Sequence, residues 1–564
     1  MEALDWVVIG VFFLALIGII VWVVRQKQND SADYFLGGRD ATWLAIGASI
    51  FASNIGSEHL IGLAGAGASS GMAMAHWEIQ GWMILILGWV FVPFYTRSMV
   101  YTMPEFLERR YNPQSRTILS VISLVSYVLT KVAVTVYAGG LVFQQVFGIK
   151  ELWGIDFFWI AAIGLVVLTA LYTIFGGMKS VLYTSVLQTP ILLLGSLIIL
   201  VLGFKELGGW DEMMRVCGAV TVNDYGDTMT NLIRSNDDAN FPWLGALIGS
   251  AIIGFWYWCT DQFIVQRVLS GKNEMEARRG TIFGAYLKLL PVFLFLIPGM
   301  IAFALHQKYI GAGGEGFLPM LENGTANADA AFPTLVAKLL PAGVKGLVVC
   351  GILAALMSSL ASLFNSSAML FTIDFYKRFR PQTSEKKLVG IGQVATVVIV
   401  ILGILWIPIM RSVGDVLYTY LQDVQSVLAP GIAAAFLLGI CWKRTSAQGG
   451  MWGLISGMVI GLTRLGAKVY YSNAGEVADS TFKYLFYDMN WLFFCGWMFL
   501  FCIIVVIVVS LATEAPTAEK IQGLVFGTAT KEQKASTRAS WNHWDIIHTV
   551  IILAITGAFY WYFW

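Results

Sequence analysis

Apolar stretches of about 20 residues recur along the whole chain and are separated by shorter polar segments. A helix of about 20 residues crosses the roughly 30 Å hydrocarbon core of a bilayer, so this pattern predicts transmembrane helices. About fourteen spans fit the 564 residues. They are residues 5–25, 44–68, 74–96, 117–147, 157–175, 181–203, 241–265, 279–306, 337–376, 387–409, 415–440, 448–468, 487–511 and 543–563.

The positions of Lys and Arg predict the orientation of these spans. With the N-terminus outside, the cytoplasmic connections carry about 23 Lys and Arg residues and the outer connections about 10. This asymmetry follows the positive-inside rule, and an even number of spans places the C-terminus outside as well. Residues 204–240 then form an external loop and residues 512–542 a cytoplasmic one. The N-glycosylation sequon at Asn323 would lie on the outer side.

Composition supports a multi-pass protein of the cell membrane (plasma or inner membrane). Hydrophobic residues make up 57% of the chain and charged residues 13%, which is too little charge to cover several soluble domains. A formal net charge of +1 gives no reason to expect a nucleic-acid partner. The six cysteines include no CxxC pair, so we expect small buried thiols and no zinc or redox site.

Polar residues cluster inside the second predicted span. Residues 52–62 combine Gly, Ser and Asn with Asn54, Glu58 and His59. This composition favours a broken helix, whose freed carbonyl groups can coordinate a cation where they line a cavity. Close helix packing through small residues is the alternative. The charged and amide side chains favour a binding site, because charges at mid-membrane usually face a cavity or a partner.

Three further polar residues lie within predicted spans. Glu78, beside Trp77, would accept hydrogen bonds from sugar hydroxyls, although it could also sit at the external interface. Lys288 lies too deep to reach water easily and needs an anion or carbonyl partner. Gln422 offers both a donor and an acceptor, or an ordinary bond between helices. Together they point to a polar pocket.

The ninth span contains adjacent hydroxyls at Ser358 and Ser359. Such hydroxyls often bond back to the carbonyl four residues earlier in the same helix. A hard cation, however, prefers several oxygen ligands. With carbonyls of the broken helix, these serines would supply about five neutral oxygens, which suits a monovalent ion.

Taken in order, several motifs resemble the solute:sodium symporter family, and within it the sodium/glucose cotransporters. The similarity runs from about residue 30 to about residue 470. The matching stretches are DYFLGGR at 33–39, ASNIGS at 52–57, YTMPEF at 101–106, WYWCTDQ at 256–262, VQR at 265–267, MSSL at 357–360 and FTID at 371–374.

The resemblance implies an all-α membrane protein with a LeuT-type core of two inverted five-helix repeats. The first repeat would cover residues 44–203 and the second residues 241–440. Residues 1–43 would supply a first helix and a cytoplasmic loop, and residues 441–564 the C-terminal flanking helices.

The resemblance also implies that the protein carries Na⁺ and a sugar, and it implies which residues bind them. The sugar-binding positions would be Asn54, His59, Glu78, Lys288, Gln422, Tyr257 and Trp258. Tyr257 would also close the sugar from the cytoplasmic side, and outer-gate residues would be Trp77, Leu63 and Tyr418. Sodium would be bound by the carbonyls of Ala52, Ile55 and Ala355 and by the hydroxyls of Ser358 and Ser359.

Some positions depart from the family pattern. Ser185 replaces an Asp, and Ala361 replaces the Thr of members that couple two sodium ions, which predicts one sodium per sugar. His59 is shared with animal glucose carriers, whereas a bacterial galactose carrier has Gln there. Gly254 and Gly81 stand where relatives often place small polar groups that touch the sugar.

These observations predict a sodium-coupled sugar symporter that works by alternating access and is not an enzyme. Sodium symport of myo-inositol, another polyol or a different small solute by the same fold is the alternative. A channel fits less well, because a polar pocket with gating aromatics suits a carrier. A membrane enzyme has little support, since the five histidines include no pair spaced to hold haem or zinc.

Overall fold

The computed structural model describes residues 1–26, 30–56, 58–321, 324–411, 417–473 and 478–564. Over these residues the chain is almost entirely helical, and ten helices are long and apolar enough to cross a membrane. In the span Val344–Phe379, 89% of an apolar 18-residue window is buried, whereas the corresponding share is 22% in the first and last helices. The span Val344–Phe379 is therefore central, and the first and last helices lie at the periphery.

The α-helices are bounded as follows. In the first half they are α1 Ala3–Arg25, α2 Ser31–Leu36, α3 Trp43–Asn54, α4 Ala64–Ser70, α5 Ala75–Glu78, α6 Gly81–Ile86, α7 Val92–Ser98, α8 Met103–Arg110, α9 Pro113–Ser126, α10 Ala133–Phe147, α11 Phe157–Leu207 and α12 Trp210–Gly218. In the second half they are α13 Trp243–Gly254, α14 Gln262–Leu269, α15 Glu274–Lys288, α16 Ile297–Gly311, α17 Ala331–Leu339, α18 Val344–Met369, α19 Lys377–Phe379, α20 Glu385–Arg411, α21 Leu417–Cys441, α22 Ala447–Asn473, α23 Thr481–Lys483, α24 Trp491–Ala512, α25 Ala518–Ile521, α26 Lys531–Ala539 and α27 His543–Tyr562.

Short segments of other structure join these helices. The wider π-helical turns are Glu58–Leu63, Leu87–Phe91, Tyr127–Val132, Phe255–Thr260, Val292–Leu296, Leu370–Tyr376 and Tyr484–Asp488. The 3₁₀ turns are Gly37–Arg39, Gly71–Met74 and Ala328–Ala330. Two short strands, β1 Glu151–Leu152 and β2 Ile155–Asp156, pair in antiparallel register, with Glu151 opposite Asp156.

Two helices that contain predicted site residues are interrupted by extended backbone. α3 ends at Asn54, Ile55 is extended, and the chain turns helical again from Glu58. The turn after α13 ends in the same way at Asp261, which is extended and caps α14. Each interruption lies in the first helix of a predicted repeat, which fits the discontinuous helices of inverted-repeat transporters.

α11 covers two of the predicted spans. An unbroken helix of 51 residues would be about 77 Å long, far more than a bilayer needs. Gly177, with φ of 52° and ψ of −148°, breaks it. The chain therefore bends between the spans predicted at 157–175 and 181–203.

Two expectations need correction. The segment 204–240 is not loop throughout, because α11 continues to Leu207 and α12 lies within the segment. Cys441 is exposed, whereas the other five cysteines are buried as expected. Cys441 is the last residue of α21, at a helix end. Asn323 of the predicted sequon lies outside the described residues.

Candidate functional site

A small polar cavity lies among the interrupted helices. It is lined by Asn54, Glu58, His59, Trp77, Glu78, Gln80, Ile253, Gly254, Tyr257, Trp258, Lys288, Gln422 and Gln425. Its volume of about 30 Å³ has room for a water molecule or two. A sugar-sized solute therefore needs the lining side chains to separate.

Helix interruptions place most of these side chains. Asn54, Glu78 and Lys288 are each the last residue of a helix. Tyr257 lies in the π-helical turn after α13, and such turns are frequent at functional sites. For α15 the local cause is Pro291, because proline lacks an N–H and disfavours helical backbone before it.

A buried ionic network spans the cavity. Lys288 Nζ donates to Glu78 Oε2 at 2.6 Å, and the same oxygen lies 3.1 Å from His59 Nε2. The Lys288 and Glu78 side chains are 4% and 1% exposed. An unpaired charge is costly inside a membrane, so each group stabilises the charged form of the other.

The network continues to the aromatic residues. Lys288 Nζ also donates to Asn54 Oδ1 at 3.2 Å, and Asn54 Nδ2 donates to the Tyr257 hydroxyl at 3.0 Å. The Lys288 ammonium lies 5.3 Å from the centre of the Trp258 ring. These bonds place an amide, a carboxylate, an ammonium and two aromatic rings around one space.

The cavity lining includes buried polar atoms without a hydrogen-bond partner among the described residues, namely Gln422 Oε1, an acceptor, and Trp77 Nε1, a donor. Buried polar groups are normally paired, so this donor and this acceptor are suited to a bound polar solute.

Gly254 lines the cavity, and the packing around it explains why this position is a glycine. A Cβ there would lie 2.5 Å from Gln80 Oε1. Gln80 is held by donation to the Ser250 carbonyl at 2.8 Å and by the Trp258 indole N–H at 3.3 Å. Gln80 thus occupies the space that a side chain at position 254 would fill. Gly81 instead faces α15, where a Cβ would lie 2.8 Å from the Ala285 carbonyl oxygen.

The candidate cation residues meet at the break in α3. Ser359 Oγ donates to the Ser53 carbonyl at 2.8 Å and lies 3.4 Å from that of Ile55. Ala52 and Ala355 are both buried in α3 and α18, within about one turn of this contact. The structure therefore brings Ile55 and Ser359 together and places the other predicted carbonyls on the same two helices.

Ser358 faces a neighbouring cluster of hydroxyls. Its Oγ lies 3.3 Å from Ser185 Oγ, which in turn lies 3.5 Å from Ser49 Oγ. Ser185 Oγ also donates to the Val181 carbonyl at 2.6 Å. Ser358 and Ser359 thus point to two adjoining groups of neutral oxygens.

The predicted outer-gate residues differ in position. Trp77 lines the cavity and stacks on Trp491, with ring centres 5.5 Å apart. Leu63 is fully buried at the end of the π-helical turn after the break and does not border the described cavity. The side chain of Tyr418 lies outside the described residues. A gating role for these residues stays a prediction.

Sequence reasoning missed a second buried ion pair. Lys131 Nζ lies 2.8 Å from Asp261 Oδ2 and 4.6 Å from the centre of the Tyr257 ring. The Tyr127 hydroxyl also donates to Asp261. The sequence feature that could have indicated this pair is Lys131, a lysine within the predicted span 117–147.

Sequence reasoning also missed Gln425. It lies one helical turn after Gln422 and lines the cavity.

Interrupted helices around a central polar cavity are the architecture of secondary transporters. The family model of the sodium:solute symporter family matches residues 34–457. Sodium/myo-inositol cotransporter 2 of Homo sapiens is 36% identical over 542 residues, covering 94% of this chain and 79% of the relative. Sodium/glucose cotransporter 4 of Danio rerio is 36% identical over 560 residues, covering 96% of this chain and 84% of the relative.

The chain therefore belongs to the sodium:solute symporter family. It is a sodium-coupled, multi-pass membrane transporter and not an enzyme. A solved structure of a Na⁺-coupled sialic acid symporter aligns with a TM-score of 0.72 at 22% identity, covering 92% of this chain and 99% of that one. This likeness confirms the all-α, LeuT-like fold. The count of fourteen spans and the position of both termini remain predictions.

We expect Glu78 and Lys288 to depend on each other. Lys288→Met alone should destabilise the protein by about 3–5 kcal/mol, because it leaves a buried carboxylate without its main partner. Adding Glu78→Gln should restore the melting temperature measured in detergent. Solute uptake should stay low in both variants if the pair also binds solute.

The matched control is Lys483→Met, which removes an ion pair from a surface segment and should change neither property. Equal thermal stability of Lys288→Met and the parent protein would contradict the ionic coupling.

Proposed function

We propose that this protein couples the inward movement of Na⁺ to that of a neutral polyhydroxylated solute, a hexose of the glucose or galactose type. The observation that carries the proposal is that the Gln422 acceptor and the Trp77 donor border one cavity and have no hydrogen-bond partner in the part of the chain that the structure describes. A hydroxyl both donates and accepts, so a polyol can satisfy both groups. Glu78 disfavours an anionic solute, since its carboxylate lies in the same lining.

Myo-inositol is the second candidate solute. The human relative at 36% identity is a sodium/myo-inositol cotransporter, and a sodium/glucose cotransporter is equally similar. A hexose and a cyclitol present similar rings of hydroxyls, so the same donors and acceptors suit both.

We assign the ion to the oxygens at the break in α3. Sodium bound by the carbonyls of Ala52, Ile55 and Ala355 and by the hydroxyls of Ser358 and Ser359 would hold the break open. Asn54 and His59 flank this break, so their presentation to the cavity depends on its shape. The solute would then bridge Glu78, Lys288 and Gln422, with Tyr257 closing the cytoplasmic side.

Alternating access then moves both cargoes. Inward opening exposes Na⁺ to a cytoplasm low in sodium and negative in potential. One charge moving down 100 mV supplies about 2.3 kcal/mol, roughly 50-fold accumulation of solute before the sodium gradient is added.

Uptake into proteoliposomes tests the function. We expect a sodium gradient to drive uptake of labelled glucose, galactose or myo-inositol, with the others competing according to preference. Uptake of all three that is the same with sodium or with choline outside would refute sodium-coupled polyol symport.

Ser359→Ala tests the ion site. Losing this hydroxyl should raise the sodium concentration for half-maximal uptake by about tenfold. This change corresponds to about 1.4 kcal/mol of sodium-binding free energy for one lost ligand. The solute concentration for half-maximal uptake at saturating sodium should change much less.

The control is Ser367→Ala, which removes a buried hydroxyl from the same helix away from the break. Equal sodium dependence of the two variants would argue against Ser359 as a ligand.

We expect one Na⁺ per solute. Ala361 has only a methyl group, and Ser185 has a neutral hydroxyl where the family has an Asp carboxylate, so a second ion would lack a threonine hydroxyl and a charged ligand. Reversal potentials measured across a series of sodium and solute gradients give the ratio. A coupling of two ions would reject this expectation.

A further inference from the structure

A second cleft opens away from the transport cavity, on the face predicted to be cytoplasmic. It has a volume of about 600 Å³ and lies between the end of α8, the start of α22 and the segment that follows α24. Its charged or polar lining residues include Arg110, Ser446, Gln448, Thr513, Glu514 and Lys520. The solute and sodium groups described above do not border this cleft.

Arg110 is the buried cation of the cleft. The residue is 1% exposed, and its Nε donates to the Gly439 carbonyl at 2.6 Å. Its Nη2 donates to the carbonyls of Thr445 at 3.1 Å and Trp442 at 3.3 Å. Its Nη1 has no hydrogen-bond partner among the described residues. A guanidinium with a buried, unused N–H group is suited to an anion.

The start of α22 adds donors on the same cleft. α22 has 27 residues, and Ala447 and Gln448 at its first turn line the cleft. The first N–H groups of a helix cannot be satisfied within it, and the helix dipole favours an anion there. The Ser446 hydroxyl accepts from the Gly449 N–H at 3.0 Å, and the two residues whose N–H groups come earlier in the helix, Ala447 and Gln448, line the cleft.

Charge in and near the cleft favours an anion as well. Lys520 lies in the lining with Arg110, and Glu514 is the carboxylate there. Arg444 adjoins this region, because its Nη2 donates to the Thr513 carbonyl at 2.7 Å. Its Nη1 has no partner among the described residues either. The lining therefore holds two cations and one carboxylate, with a third cation, Arg444, beside it.

We propose that this cleft binds a phosphate group, carried by an acidic phospholipid or free in the cytoplasm. Phosphate offers several acceptor oxygens and more charge than a carboxylate, which matches a guanidinium, an ammonium and a helix N-terminus together. Both ligands use the same chemistry, and the experiment separates them.

The test uses the whole protein and two variants of the cleft. Gln448→Glu places a carboxylate in the first turn of α22, where it favours the helix but repels an anion. Lys520→Ala removes the cation from α25. The matched control is Lys531→Ala, which removes a cation from α26, outside the lining. Sodium-dependent uptake by each variant reports that it is folded.

Binding is measured with two probes. Inorganic phosphate is titrated against the melting temperature in detergent, and retained lipid is measured by native mass spectrometry from nanodiscs of phosphatidylcholine with phosphatidic acid. We expect one probe to bind the parent protein and the Lys531→Ala control equally. Gln448→Glu should weaken that binding by about tenfold, as a like charge near an anion does.

Stabilisation by inorganic phosphate would identify a free ligand, and retention of phosphatidic acid alone would identify a lipid headgroup. Absence of binding by either probe would overturn the proposal, as would equal binding by the parent and the Gln448→Glu and Lys520→Ala variants.

Discussion

The contact between the hydroxyl of Ser359 and the carbonyls freed where α3 ends is the interaction on which the proposed mechanism depends. Backbone carbonyls without helical partners are tolerated in a membrane only where protein groups, water or ions satisfy them. Ser359 donates its hydroxyl proton to the Ser53 carbonyl at 2.8 Å, and its oxygen lies 3.4 Å from the carbonyl oxygen of Ile55. Gly56 lies close to this contact, because a Cβ there would be 2.7 Å from Ser359 Oγ. A bound ion would replace the hydrogen bond from Ser359 and be coordinated by the same oxygens. This would change the backbone shape of the break and therefore the position of the Asn54 side chain.

Two buried ion pairs surround the aromatic residues of the cavity. Glu78 pairs with Lys288 on one side, and Asp261 pairs with Lys131 beside the Tyr257 ring. Buried pairs contribute little net stability compared with apolar packing, but breaking one is costly. A solute whose hydroxyls replace one of these contacts therefore offsets the cost of opening the network. Under the proposed function, this exchange would allow a cavity that is small before the solute enters to open for a polyhydroxylated solute.

The sequence allowed the broad fold and much of the pocket to be predicted, for identifiable reasons. Apolar stretches of bilayer length predicted the helices, and a charge within such a stretch, as at Lys288, predicted a partner. The pairing of Lys131 with Asp261 could not be predicted, because it joins residues 130 positions apart. The role of Gly254 depends on where Gln80 packs, which no local pattern indicates. Leu63 matched an outer-gate position of the family, but its burial away from the described cavity depends on tertiary packing, which the local sequence does not indicate.

Reciprocal binding measurements on purified protein test the central claim most directly, because ions and solute that share one broken helix must influence each other equally. Sodium affinity would be measured with and without saturating solute, and solute affinity with and without saturating sodium. The proposed arrangement predicts that each ligand raises the affinity for the other, and by the same factor. Affinities that do not change when the other ligand is present would contradict it.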